Sequence, residues 1–239
     1  MPSCVRTASL YERRFAMAVR HEEKYIIDFR QYLMLRQRAM QILSPDPHGK
    51  NGSYVITSLY YDDPLDNALY EKLDGLPEHS KFRIRTYDYS DRFIKLERKD
   101  KHGILTEKND APITRAQIEL LNSTATELDA FEGDAYDLAV QVHAKGLQPK
   151  VAVRYRRYAF FHPGSDFRLT FDTELETIAP DPEALFNAEV RGLPVLDGNS
   201  VVMEIKYGAY IPNFARKLTN VNGRQLSVSK YALCREKYI

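Results

Sequence analysis

The chain has no tryptophan and only two cysteines, Cys4 and Cys234, in 239 residues. Neither a disulfide framework nor a cysteine-rich zinc site can be written from that spacing, and a reducing compartment fits. No window approaches the roughly 18 apolar residues of a spanning helix. Arg6, Arg13 and Arg14 lack the apolar block of a secretory signal. The expectation is a cytoplasmic chain, with any membrane partner carried on another chain. An excess of one charge is also missing, with 34 Lys and Arg against 33 Asp and Glu. That balance gives no case for a nucleic-acid partner, which usually selects a basic surplus. With 44% apolar and 28% charged residues, the composition is that of one globular domain over 1–239, with 1–16 as an irregular lead-in.

What is present is strand-like alternation. Phe15 to Ile27 reads as a strand, and Asp28 as the N-cap of a helix that ends at Ser44-Pro-Asp-Pro. Tyr54 to Tyr61, Lys81 to Tyr89, Phe93 to Lys99, Val151 to Phe161, Phe167 to Thr173 and Val201 to Tyr207 read as further strands. Helices are expected over Pro64 to Leu73, over Pro112 to His143 in two pieces, and over Pro212 to Leu218. About eight strands with flanking helices predict an α+β, mainly β protein, with an antiparallel sheet that is closed or nearly so.

Residues at i, i+2 and i+4 of a strand share a face. Arg20, Glu22 and Lys24 fall in one phase, as do Arg83 and Arg85, then Lys95, Glu97 and Lys99, then Arg154 and Arg156. Arg168, Thr170 and Asp172 do the same, as do Glu204 and Lys206. Apolar residues hold the other phase: Phe82 and Ile84, Ile94 and Leu96, Val153 and Tyr155, Leu169 and Phe171, Met203 and Ile205. A single strand of this kind is ordinary amphipathicity. Recurrence of Arg, Lys and Glu on strand after strand is not, since Lys and Glu are depleted in strands. Counting Glu174, the charged phase holds ten cations against five carboxylates, and turned inward it calls for a ligand of high anionic charge density. Arginine forks and lysine ammonium groups suit phosphate oxygens. The few carboxylates suit a hard divalent ion, Mg2+ or Mn2+, which takes one or two of them plus phosphate oxygens.

The ordered set of RxExK at Arg20 to Lys24, RxR at Arg83 to Arg85, KLERK at Lys95 to Lys99, Glu107-Lys108, RYRR at Arg154 to Arg157, RLTFDTE at Arg168 to Glu174, MEIKY at Met203 to Tyr207 and SVSKY at Ser227 to Tyr231 resembles the polyphosphate polymerase domain of the vacuolar transporter chaperone family. That domain is a branch of the triphosphate tunnel metalloenzymes, and the resemblance spans roughly residues 18 to 239. It implies an eight-stranded β tunnel that transfers the ATP γ-phosphoryl group to a growing polyphosphate chain. It implies phosphate contacts at Lys24, Arg83, Arg85, Lys99, Lys108, Arg154, Arg168, Lys206 and Lys230, with Ser229 beside Lys230 and a metal ligand at Glu204. The hydrolytic and cyclase relatives open with ExExK, whereas Arg20 stands at the first acidic position here and leaves Glu22 as the remaining acid. That departure turns the expectation away from a hydrolase. A metal-dependent triphosphatase and a non-catalytic polyphosphate-binding module remain the alternatives. Lys95 and Arg156 join the expected substrate contacts from the alternation alone.

Other residues point elsewhere. The six histidines share no ligand spacing. Cys234 has no partner base, Asp62-Asp63 ahead of Pro64 reads as a helix start, and Arg30, Arg36 and Arg38 read as a solvated helix face.

Overall fold

The computed structural model describes residues 21–103, 105–123, 127–221, 224–225 and 229–238. Strand β1 (His21–Asp28) runs straight into helix α1 (Phe29–Ile42). Asp28 makes the switch, its Oδ1 accepting the Gln31 N–H at 2.8 Å. The two-residue β2 (Ser44–Pro45) precedes β3 (Ser53–Asp62), a β-branched and aromatic strand buried on both faces. Helix α2 (Asn67–Leu73) starts later than its sequence suggests. The Asp62 carboxylate accepts the Ala68 and Leu69 N–H groups at 3.0 Å each, in keeping with the helix-start reading.

A meander of β4 (Glu78–Tyr87), β5 (Ser90–His102) and β6 (Leu105–Ile113) follows. Strand β6 is not foreseen by alternation because it is a polar edge strand, bonded on one side only. Thr114 and Gln117 close a capping box on α3 (Arg115–Asn122), which is followed by α4 (Gly133–Ala144). The rest comprises β7 (Gln148–Phe161), β8 (Arg168–Ile178), the short β9 (Leu193–Pro194), β10 (Ser200–Tyr207), α5 (Arg216–Thr219), the short β11 (Arg224–Gln225) and α6 (Lys230–Arg235). Eight strands have eight residues or more, as expected. Arg20 and residues 15–19 of the first expected strand lie outside the described residues, as does Ser227.

The main path of the sheet runs β11-β1-β10-β8-β7-β3-β4-β5-β6, with every pairing antiparallel. Among the described residues, backbone hydrogen bonds do not close it. It nonetheless curls far enough for Lys99 on β5 to reach Glu22 on β1, 3.9 Å away.

Two apolar clusters cover the outer face. Tyr32, Leu35 and Ala39 of α1 pack on Phe160, Leu169, Phe171, Met203 and Ile205. Ile118 and Leu121 of α3, with Leu138 and Val142 of α4, pack on Phe82, Ile84, Ile94 and Leu96. Each such Leu, Ile, Val, Phe or Met side chain contributes about 1.5–3 kcal/mol on burial. A third cluster lies inside the curl, where Tyr231, Ala232 and Cys234 of α6 meet Ile56 and Tyr60 of β3 and Val151, Val153 and Tyr155 of β7.

That inner cluster corrects one phase assignment. On β7 the apolar phase turns inward beneath α6, so Arg154 and Arg156 turn outward. Arg154 is buried and donates to the carbonyl oxygens of Val190 (2.6 Å), Ala184 (2.7 Å) and Asn187 (3.1 Å). Arg156 meets Glu174 at 3.4 Å. Glu174 is itself displaced by a bulge: the β7–β8 register shifts between Arg154 and Arg156, and Glu174 takes φ +54°. The extra residue leaves Asp172 and Leu175 facing inward.

Candidate functional site

The inward phase brings most of the expected residues together. Cross-strand partners alternate in sign: Lys24 with Glu204, Glu22 with Lys206, and Arg83 with Glu97. Like charges meet elsewhere: Lys81 lies opposite Lys99, which in turn lies opposite Lys108, and Arg85 lies opposite Lys95, Lys206 opposite Arg168 and Glu97 opposite Asp110. Among the described residues, the inward face presents Lys24, Lys81, Arg83, Arg85, Lys95, Lys99, Lys108, Arg157, Arg168, Lys206 and Lys230. Glu22, Asp62, Glu97, Asp110, Asp172 and Glu204 are the opposing carboxylates. Cations therefore outnumber anions on this face.

Each carboxylate is a hub. Glu97 holds Arg83 at 2.5 Å, Lys108 at 2.9 Å and Arg85 at 4.0 Å. Burial pushes its carboxyl up, but Arg85, Arg83 and Lys108 together hold it at about 2. Asp172 is gripped in two-pronged fashion by Arg157, at 2.7 and 2.8 Å, and by Lys230 at 2.6 Å. It too is held below the usual carboxylate range against burial, by Arg157 and Lys230. Asp110 pairs with Lys95 at 2.5 Å and Lys108 at 3.1 Å.

Glu204 and Glu22 converge on Lys206, at 2.7 and 3.6 Å, and Glu22 also bonds Lys24. Burial and the charge of Glu204 push Glu22 up, yet Lys206, Lys24 and Lys99 leave it lowered. For Glu204, burial is outweighed by Lys206, Arg157 and Lys230.

Arg85, Arg157, Arg168, Thr170, Glu204 and Lys206 line a cavity of about 170 Å³ with Tyr54, Ile56 and Tyr87. The Oγ1 of Thr170 is buried there without a hydrogen-bond partner, a polar atom left for a ligand or water. A larger cavity of about 250 Å³ lies beside α2 and is lined by Asp62, Asp63 and Glu71 with Lys145. Its acidic lining is the wrong sign for phosphate, so size does not identify the site.

Sequence reasoning overlooked four inward residues. Arg157 was hidden because RYRR places arginines in both phases. Tyr60 accepts from Arg83 at 2.9 Å, and burial of its phenol is outweighed by Arg83 and Arg85, which lower its pKa. Lys81 reaches the Oγ of Ser229 at 3.0 Å, and Asp110 sits on the unforeseen edge strand. Ser229 also caps α6, accepting the Ala232 N–H at 3.2 Å, which fixes Lys230 at the helix start. Cys234 is buried, and its thiol is pushed up to about 12 by that burial, in keeping with packing. Arg36 is not simply solvated, since its guanidinium lies 4.4 Å from the centre of the Tyr158 ring.

Two carboxylates sharing one lysine fit a hard divalent ion completed by phosphate oxygens. Among the described residues, no group of three or more His, Cys, Asp or Glu side chains is arranged to hold an ion unaided.

A curled antiparallel sheet with a surplus of cations inside defines an anion-binding protein of tunnel-like build. The chain belongs to the VTC domain family, which it matches over residues 19–239. Comparison with curated protein sequences gives no relative. Among solved structures it is similar to the PH1819 protein of Pyrococcus horikoshii, at 13% identity over 91% of this chain and 99% of that one, with a TM-score of 0.49. A candidate adenylate cyclase of Bacillus halodurans is similar at 12% identity over 81% of each chain, also with a TM-score of 0.49. Family membership and the cationic face together support a function in binding triphosphate or polyphosphate. No helix of the described residues is long and apolar enough to cross a membrane.

Proposed function

We propose that the chain is an ATP-dependent polyphosphate polymerase that moves the γ-phosphoryl group of ATP onto a polyphosphate chain held in the cationic concavity. The observation that carries this reading is the surplus of cations over carboxylates on the inward face, together with family membership. Arg83, Arg85, Arg157, Arg168, Lys206, Lys24, Lys99 and Lys230 would bind and align the phosphates, with Lys95, Lys108 and Ser229 at the periphery. Arg154 and Arg156 drop out of the expected set, and Arg157 enters it.

Phosphoryl transfer asks little covalent help of a protein. In-line alignment and neutralisation of the equatorial oxygens do most of the work. The attacking group is the terminal phosphate of the acceptor, so no side-chain nucleophile is required. Fixed guanidinium groups need no reorganisation as charge develops on the transferred group. Glu97 and Asp172 pin Arg83 and Arg157 in place, while α6 narrows access for water, which favours transfer to phosphate over hydrolysis. Glu22 and Glu204 would hold the divalent ion, Mn2+ or Mg2+, which when bound neutralises phosphate oxygens.

Incubation with ATP and manganese, followed by phosphorus NMR, tests the reading. ADP with long-chain polymer is expected. ADP or AMP with short anions only would instead favour a triphosphatase, and tight binding without turnover a polyphosphate-binding module.

A further inference from the structure

Lys81 occupies the inward phase of β4, four residues before Arg85 and roughly 13 Å from it along the strand. The groups facing it come from every surrounding element: Lys72 from α2, Lys99 from β5, Lys24 from β1, Asp62 from β3, and Ser229 and Tyr231 at the start of α6. His79 and Lys101 lie nearby. Lys81 is directly opposite Lys99 in the β4–β5 register, and like charges so placed are destabilising.

The local carboxylates are already engaged. Asp62 accepts from the backbone N–H groups of Asp63, Ala68 and Leu69 and from the Tyr231 hydroxyl. Glu22 is shared among Lys24, Lys99 and Lys206. Among the described residues, no carboxylate forms an ion pair with Lys81 or Lys72. Burial, followed by Lys72, Lys99 and Lys24, holds the Lys81 ammonium down at about 7.

We propose that Lys81, with Lys72, Lys24 and Lys99 around it, forms a second anion subsite that takes the distal phosphates of an inorganic polyphosphate and fills with uptake of one proton by Lys81. This rests on the triphosphate reading above and deepens it. The incoming phosphate oxygens supply the missing negative charge, and the amine accepts a proton from solvent to become the ammonium that binds them. The cavity around Arg85 and Arg168 needs no such step, because guanidinium groups stay charged throughout.

The test is calorimetric titration with medium-chain inorganic polyphosphate at pH 8, in two buffers of different ionisation enthalpy. Wild type should take up close to one proton more than Lys81→Arg, whose charge is permanent. Lys81→Arg should bind up to about tenfold tighter at that pH, because a lysine titrating near 7 is then about nine-tenths neutral. Lys81→Met should bind more weakly, with no excess uptake. His79 senses the Lys81 charge, so both proteins are also compared in a His79→Gln background, where the difference isolates Lys81. Equal uptake by wild type and Lys81→Arg overturns the subsite, provided wild type binds tripolyphosphate. If wild type binds neither tripolyphosphate nor the longer chain, the triphosphate reading itself falls.

Discussion

Two groups of cations share the inward face and are kept in different ways. Arg83, Arg157, Lys206 and Lys230 are each tied to a buried or half-buried carboxylate within 3 Å. Lys72 and Lys81 have none among the described residues. The first group is organised before any ligand arrives, which costs nothing at the moment of binding. The second stores repulsion, since burial and neighbouring lysines lower both amines. The first therefore should set geometry and rate, and the second should respond to pH, salt and chain length.

The largest effect that sharpens this contrast belongs to Arg157. Replacing it with alanine leaves the buried Asp172 with only Lys230, and loss of a partner from such a pair costs about 3–5 kcal/mol of stability. Chemical denaturation measures it, and Lys72→Ala should change stability by less than about 0.5 kcal/mol or raise it. Comparable losses from the two would erase the distinction.

Acid comes next. Glu97 is held at about 2 in the folded chain against 4.5 for a free glutamate. Its contribution is therefore fully present above pH 4.5 and is lost as pH falls toward 2. Its size is about 3 kcal/mol at 1.36 kcal/mol per unit. Stability curves of wild type and Glu97→Gln should converge over that window, and a constant gap would show that Glu97 titrates normally.

Glu204→Gln should lower metal-dependent turnover about a hundredfold, or about 2.7 kcal/mol in the barrier, while tripolyphosphate binding stays. Single-turnover kinetics and calorimetry separate the two, and equal losses would remove the metal role. Arg154→Ala should show the smallest effect on ligand, with affinity unchanged within about twofold. It should still lower stability by about 1–2 kcal/mol, because the buried Ala184 carbonyl and the less buried Val190 and Asn187 carbonyls lose this donor.

Much of this was legible from alternation. Arg83-Ile84-Arg85 and Glu204-Ile205-Lys206 each place charge in a single phase, and the structure turns that phase inward. Asp28 was readable as a cap because an acid stands immediately before the helical spacing starts. RYRR defeated the same reasoning: with arginines at 154, 156 and 157, only the packing of α6 on Val153 and Tyr155 decides which phase faces in. The bulge at Glu174 depends on pairing with β7 and leaves no local mark. Strand β6 has the composition of a loop, and its pairing with β5 supplies what its sequence lacks. Lys81 went unnoticed because its role depends on Lys24, Lys72 and Lys99, which are brought near it only by the curl of the sheet and the docking of α2.

The central claim is that the concave face, and not merely the basic residues of the chain, holds the phosphate ligand. Calorimetric titration of tripolyphosphate into Arg85→Met and Arg156→Met tests it most directly, since the two variants lose the same charge from opposite faces. Arg85→Met should weaken binding by about 1.5–3 kcal/mol, the scale of hydrogen bonds to charged groups, and Arg156→Met should bind as wild type does. Equal weakening in both, or a loss confined to Arg156→Met, would contradict the account.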